Sequence, residues 1–199
     1  MTEPLAPQRL IVGISGASGA VYGIRLLQLL RDTPIETHLI ISKAARITIA
    51  QETTFRLPEV EAMATKVHAI DDIGAACSSG SWHTMGMIVA PCSVKTMAEI
   101  ATGVTGNLLS RSADVVLKER RRLVLMLRET PLHLGHIRNM AAVTEAGAIV
   151  YPPVPAFYAR PASLDEMVDH SVGRVLDLFG IDSSVVRRWT GDISRPLPT

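Results

Sequence analysis

The chain has 199 residues, 47% hydrophobic and 20% charged, with 20 Lys and Arg against 19 Asp and Glu. That apolar content excludes a disordered chain, and a formal charge of +1 gives no global field for a nucleic acid. The length suits one domain, and with only 4% aromatic residues its core must come from Leu, Ile, Val, Ala and Met. No apolar run reaches the roughly 18 residues of a membrane span, and the first eight residues carry Glu3 and two prolines where an export signal would be basic and then apolar. Cys77 and Cys92 are too few for a disulfide framework. Free thiols in a cytoplasmic protein are the expectation.

Arg9 to Ser15 reads as a β-branched strand that passes through Gly-Ala-Ser-Gly into a helix over Ala20 to Arg31, where Val21, Ile24, Leu27 and Leu30 share one face. Glu36 to Ser42 is a second strand, Lys43 to Gln51 a second helix, and Gly86 to Pro91 a buried strand ended by its proline. A helix opens over Ser93 to Ala101, an amphipathic one spans Leu108 to Arg121, and Leu123 to Leu127 is a strand. His133 to Ala146 is helical, and Ala148 to Tyr151 closes the sheet. Strands apolar on both faces and alternating with helices predict a doubly wound parallel α/β sheet, Rossmann-like or flavodoxin-like, in three layers. Four prolines then preclude regular structure over Pro152 to Pro161, before a helix capped by Ser163 and Glu166 that runs to about Phe179. The expected organisation is an extension over residues 1–8, an α/β domain over 9–180, and a tail over 181–199 with Trp189 as its only large anchor.

Ligands of such sheets bind beyond the carboxyl ends of the strands. Gly13, Gly16 and Gly19 surround the first end, where backbone amides and the Ser18 hydroxyl can approach a phosphate at a helix start; a plain tight turn would use the same glycines. No Gly-Lys-Ser/Thr follows, and Ser42-Lys43 stands where a dinucleotide site would place an acid. A hydroxyl and a cation favour a mononucleotide such as FMN over a nicotinamide cofactor. Ser93 to Thr96 forms a second donor-rich helix start, which an ordinary cap would also explain. Arg128 and Glu129 put a guanidinium and a carboxylate at the same edge, for a phosphate or flavin and for proton exchange, or for a simple ion pair. Arg111, Lys118 and Arg174 on their own read as solvated cations, and Tyr158 as a phenol in a stiff loop. His133 and His136 lie one turn apart with no third ligand in view, so no metal is expected.

The blocks GISGASGAVYGIRLL, ISKAA, SSGSW, PCSVKT, SADVVLKERR, RETPLHLGHIRNM and PPVPAFYARP together resemble the UbiX flavin prenyltransferase family from Arg9 to about Trp189. That resemblance implies a metal-free enzyme joining the dimethylallyl group of dimethylallyl monophosphate to N5 and C6 of reduced FMN. The product, prenylated FMN, serves a UbiD-type decarboxylase in ubiquinone biosynthesis or aromatic acid decarboxylation. It implies FMN contacts at Gly16, Ala17, Ser18, Ser42, Ser93, Val94, Lys95, Thr96 and Arg128, and prenyl-phosphate contacts at Arg111, Lys118, Tyr158 and Arg174. Proton handling falls to Ser18, Glu52 and Glu129, pocket walls to Trp82 and Trp189, and several walls to adjacent subunits of a homododecamer. Arg122 stands where relatives commonly carry Pro; it enters a strand away from the ligand edge, and little consequence is expected.

These residue types suit the chemistry. Three cations and a phenol can stabilise a departing allylic phosphate without magnesium, and there is no DDxxD-like acid pair to hold that metal. The alternatives are an FMN-dependent cysteine decarboxylase, whose PxMNxxMW block and flavin-side His are not seen, and a non-catalytic flavin carrier, for which the extra cations would be superfluous.

Overall fold

The computed structural model describes residues 8–189, which form two compact units divided between Pro153 and Val154. In the first, strands β1 (Arg9–Ile14), β2 (Glu36–Ile41), β3 (Lys66–His68), β4 (Gly86–Cys92), β5 (Arg122–Leu127) and β6 (Ile149–Val150) make one parallel sheet in the order β3-β2-β1-β4-β5-β6. Helices α1 (Ala20–Arg31), α2 (Lys43–Glu52), α3 (Leu57–Glu61), α4 (Val94–Thr102), α5 (Leu108–Lys118) and α6 (Leu134–Glu145) connect them. This is the doubly wound α/β sheet expected from the alternating pattern.

The apolar strands explain the cover. β4 is buried at every residue, and on one face Ile11, Met87, Val89, Leu123 and Leu125 pack with Met97, Ile100, Leu109, Val116 and Val143 of α4, α5 and α6. Each such side chain contributes about 1.5–3 kcal/mol by leaving water. α1 covers the other face closely: a Cβ at Gly23 would stand 2.2 Å from the Ala90 carbonyl oxygen. The strand order reverses between the adjacent β1 and β4, which opens a crevice beyond their carboxyl ends.

Several boundaries differ from expectation for local reasons. Pro91 lies inside β4, not at its end, because the β4–β5 register shifts between Val89 and Cys92 and the missing N–H falls in that irregularity. α5 stops at Lys118, since Arg120 takes a left-handed φ of 57° that turns the chain into β5. The short β3 and α3 give no periodic signal long enough to read. The remaining elements start and end within about two residues of expectation, the scatter normal for helix ends.

His38 and His68 are buried on β2 and β3 and share a hydrogen bond of 2.8 Å between Nδ1 and Nε2. Trp82 stands edge-on to His38, ring centres 4.6 Å apart, and Arg9 lies 5.3 Å over the Trp82 ring. Burial, and then the neighbouring His68, push His38 down to about 4; burial also lowers His68. The unfolded chain therefore binds more protons than the fold once pH drops below about 6.5, so this stability is complete above that value and is lost as pH falls toward 4. His38→Gln is expected to lose less stability than the parent between about pH 7 and about pH 5, as read by urea midpoints.

The second unit holds a 3-10 turn at Phe157–Ala159 and α7 (Leu164–Asp177). Ser163 caps α7 by accepting the Glu166 amide at 3.2 Å, while the Glu166 carboxylate accepts the Ala162 amide, one residue earlier than the expected capping box. Gly173 lets the following segment approach, for a Cβ there would meet Val186 at 2.3 Å. Among the described residues no helix is long and apolar enough to cross a membrane.

Candidate functional site

A cavity of about 730 Å³ opens at the reversal point between β1 and β4. Gly16, Ala17 and Ser18 after β1, Ser42 and Lys43 after β2, Ser93 to Thr96 after β4, and Arg128 and Glu129 after β5 line it. All nine residues expected to hold FMN are thus brought together. Ile70, Asp71, Glu99 and Asn107 also line it, with Ala44, Gly106 and Leu109, and were not singled out by the sequence. Asn107 alone had a readable signal, an Asn before an amphipathic helix: its side chain accepts the Leu109 and Ser110 amides and caps α5.

The start of α4 forms part of the cavity wall. The Ser93 hydroxyl oxygen accepts the Thr96 amide at 3.2 Å, and its carbonyl accepts Met97. The amides of Val94 and Lys95 in the first turn have no acceptor within the helix, and the helix dipole adds positive potential there. α2 starts in the same way, with Ser42 accepting the Ala45 amide at 3.1 Å. The volume lies within the roughly 300–1,000 Å³ usual for a bound cofactor, and the chemistry suits a ligand with one phosphate and a planar apolar body.

The start of α1 is different. A phosphate was expected there, but Glu52 already occupies the position: its Oε2 accepts the Gly19 amide at 2.8 Å and the Ala20 amide at 3.1 Å, next to Ser18. Burial raises the Glu52 pKa, but the bonds from the Gly19 and Ala20 amides, the adjacent Ser18 hydroxyl and the nearby Arg128 charge outweigh it and hold the group below its usual value. An ionised carboxylate fills this helix start, whereas the starts of α2 and α4 face the cavity without one. Gly19 supplies the turn itself, with a φ of 100°. Glu129 lines the cavity and its Oε1 accepts the Thr130 amide at 3.0 Å.

Of the expected prenyl-phosphate residues in the first unit, Arg111 and Lys118, neither lines the cavity. Arg111 on α5 is outside the lining and pairs with Asp114 at 2.9 Å. Lys118 ends α5 and bonds Glu119, while Trp82 precedes β4, with Arg121 donating to its carbonyl at 2.7 Å. Both therefore sit at the amino-terminal edge of the sheet, a strand's length from the cavity. Tyr158, Arg174 and Trp189 belong to the second unit. There the Tyr158 hydroxyl is 3.2 Å from His170, its ring meets Trp189 edge-on at 6.1 Å, and Arg174 pairs with Asp177 at 2.7 Å. Tyr158 and Trp189 are more than half exposed. His133 caps α6 by accepting the Gly135 amide, and no group of three potential metal ligands occurs among the described residues.

A family model described as Flavoprotein matches residues 1–176. The flavin prenyltransferase UbiX of Escherichia coli K12 is 58% identical over 187 residues, which cover 92% of this chain and 99% of that relative. The crystal structure of AnUbiX (PadA1) in complex with FMN and dimethylallyl pyrophosphate is similar at a TM-score of 0.92 and 52% identity, over 94% of this chain and 99% of the other. A dodecameric FMN-dependent UbiX-like decarboxylase from Escherichia coli O157:H7 matches at a TM-score of 0.91 and 50% identity, over 92% of this chain and 100% of the other. Identity above one half, sustained along nearly the full length of both partners and joined to a flavin-sized crevice at the point where the sheet reverses, means that the chain belongs to the UbiX family of flavin prenyltransferases.

Proposed function

We propose that the protein transfers the dimethylallyl group of dimethylallyl monophosphate to N5 and C6 of reduced FMN, giving prenylated FMN for a UbiD-type decarboxylase. The observation that carries this reading is the cavity between β1 and β4, lined by the capped start of α4 and by Ser18, with the Glu52 carboxylate on the amides that follow Ser18. Reduced flavin, when bound, supplies the two nucleophilic ring positions. The Val94 and Lys95 amides, with the hydroxyls of Ser93 and Thr96, would bind its phosphate; Gly16, Ala17 and Ser42 would seat its body, and Arg128 its electron-rich edge. Ser18 lines the cavity next to the ionised Glu52 and would pass to it a proton leaving the reacting ring. Glu129 at the cavity wall is a second acceptor.

Arg111, Lys118, Tyr158 and Arg174 would neutralise the leaving phosphate, and the Trp82 and Trp189 faces would shelter allylic positive charge. Lys118 and Trp82 cannot reach this chain's own cavity, so neighbouring copies in a homododecamer would bring the set together; of the expected tail over 181–199, residues 190–199 lie outside the described residues. A cytoplasmic location fits the redox state that reduced FMN needs. A non-catalytic flavin carrier has no use for that second cationic set. The distinguishing experiment is release of inorganic phosphate from dimethylallyl monophosphate: it should require reduced FMN, and release that ignores the flavin, or none at all, would count against the reading.

A further inference from the structure

Ser15, the residue after β1, is fully buried, does not line the cavity between β1 and β4 and was given no role by the sequence. Its backbone and side chain nevertheless join both walls of the crevice. Its hydroxyl donates to the Pro91 carbonyl at 2.9 Å and accepts the Ser93 amide at 2.7 Å. Its own amide also donates to the Pro91 carbonyl, at 3.2 Å, and its carbonyl accepts the Ala17 amide at 2.9 Å. A hydroxyl has one proton and two lone pairs, so these bonds use the proton and one acceptor site.

The sheet cannot do this work. The paired residues of β1 and β4 end at Gly13 and Val89, and the β4–β5 register shifts between Val89 and Cys92. Pro91 has no N–H to give. Beyond the last rung, the Ser15 side chain is what ties the start of α4 to the glycine loop. Ser93, held by it, in turn caps Thr96 and leads directly into Val94 and Lys95.

We infer that Ser15 is a positioning residue that sets the α4 helix start against the Gly16–Ser18 loop, and thereby sets the protein's preference for a phosphorylated flavin. This rests on the proposed placement of the flavin phosphate at α4. Without the hydroxyl, the Ser93 amide loses its acceptor and the first turn of α4 is free to shift. Phosphate binding suffers; seating of the flavin body on the Gly16–Ser18 loop, which keeps its backbone bond to Ser15, does not.

The test compares FMN with riboflavin, which lacks the phosphate, by fluorescence titration of the intact protein. The parent should prefer FMN. Ser15→Ala should weaken FMN about tenfold, the size of one lost hydrogen bond to a buried amide, and leave riboflavin within about twofold. A global loss of structure would weaken both ligands together, and that result, or an unchanged FMN affinity, would overturn the inference. A parent protein that binds the two flavins equally would instead remove the placement of the phosphate at α4. If Ser15→Ala does not fold, Ser15→Cys, close in shape but a poor hydrogen-bonding partner, carries the same ratio measurement.

Discussion

Replacing Gly16 with alanine is expected to destabilise the protein by about 1–3 kcal/mol and to weaken FMN binding at least about tenfold. A Cβ built at Gly16 stands 2.3 Å from the Ala44 Cβ and 3.3 Å from its Cα and carbonyl carbon. Real side-chain carbons do not approach so closely, and Ala44 has no flexible end to move aside. The first turn of α2 must therefore retreat, taking with it Ser42 and Lys43, two walls of the cavity. The remedy is equally specific. Ala44→Gly removes the colliding carbon, so the Gly16→Ala, Ala44→Gly double variant should recover most of the lost affinity and melting temperature. Failure of that rescue would place the role of Gly16 in its backbone freedom instead of in this contact.

Glu52→Gln is expected to slow prenyl transfer by about 10²–10⁴-fold, the range of a lost proton acceptor, with FMN affinity within about twofold of the parent. Glutamine keeps a carbonyl oxygen for the Gly19 and Ala20 amides, so α1 stays capped, but it cannot take up a proton through Ser18. Glu52→Ala removes both functions and should also lower the melting temperature. Because the folded Glu52 pKa lies below its unfolded value of about 4.3, its contribution to stability is present above that value and disappears as pH falls through the folded one. The melting difference between Glu52→Ala and the parent should therefore be full at neutral pH and shrink below about pH 4. Unchanged turnover in Glu52→Gln would remove Glu52 from the chemistry and leave it a helix cap.

What could be read from the sequence was local. The β-branched run of β1, the glycine turn, and the Ser42 and Ser93 caps each lie within a few residues of what they organise, and together they locate the crevice at the reversal of the strand order. The long-range partners were not legible. Glu52 reaches α1 from 33 positions beyond Gly19, and Ser15 meets Ser93 across 78. Nothing in a periodic pattern reports such meetings. Family resemblance named Glu52, Lys118 and Trp82 without saying where in one chain they would lie. α5 leaves the cavity at Asn107 and runs back along the sheet, which carries Lys118 to the far edge beside the Trp82 loop. Pro91 misled because a proline normally ends a central strand, whereas a register shift accommodates it here.

The central claim is that the crevice holds reduced FMN while an allyl group is moved onto it. The most direct measurement is the mass of the flavin released after the protein is incubated anaerobically with reduced FMN and dimethylallyl monophosphate. A flavin heavier by one C5H8 unit, formed by the parent and strongly diminished in Glu52→Gln, is the expected result; a flavin of unaltered mass, recovered from protein that demonstrably bound it, would contradict the assignment.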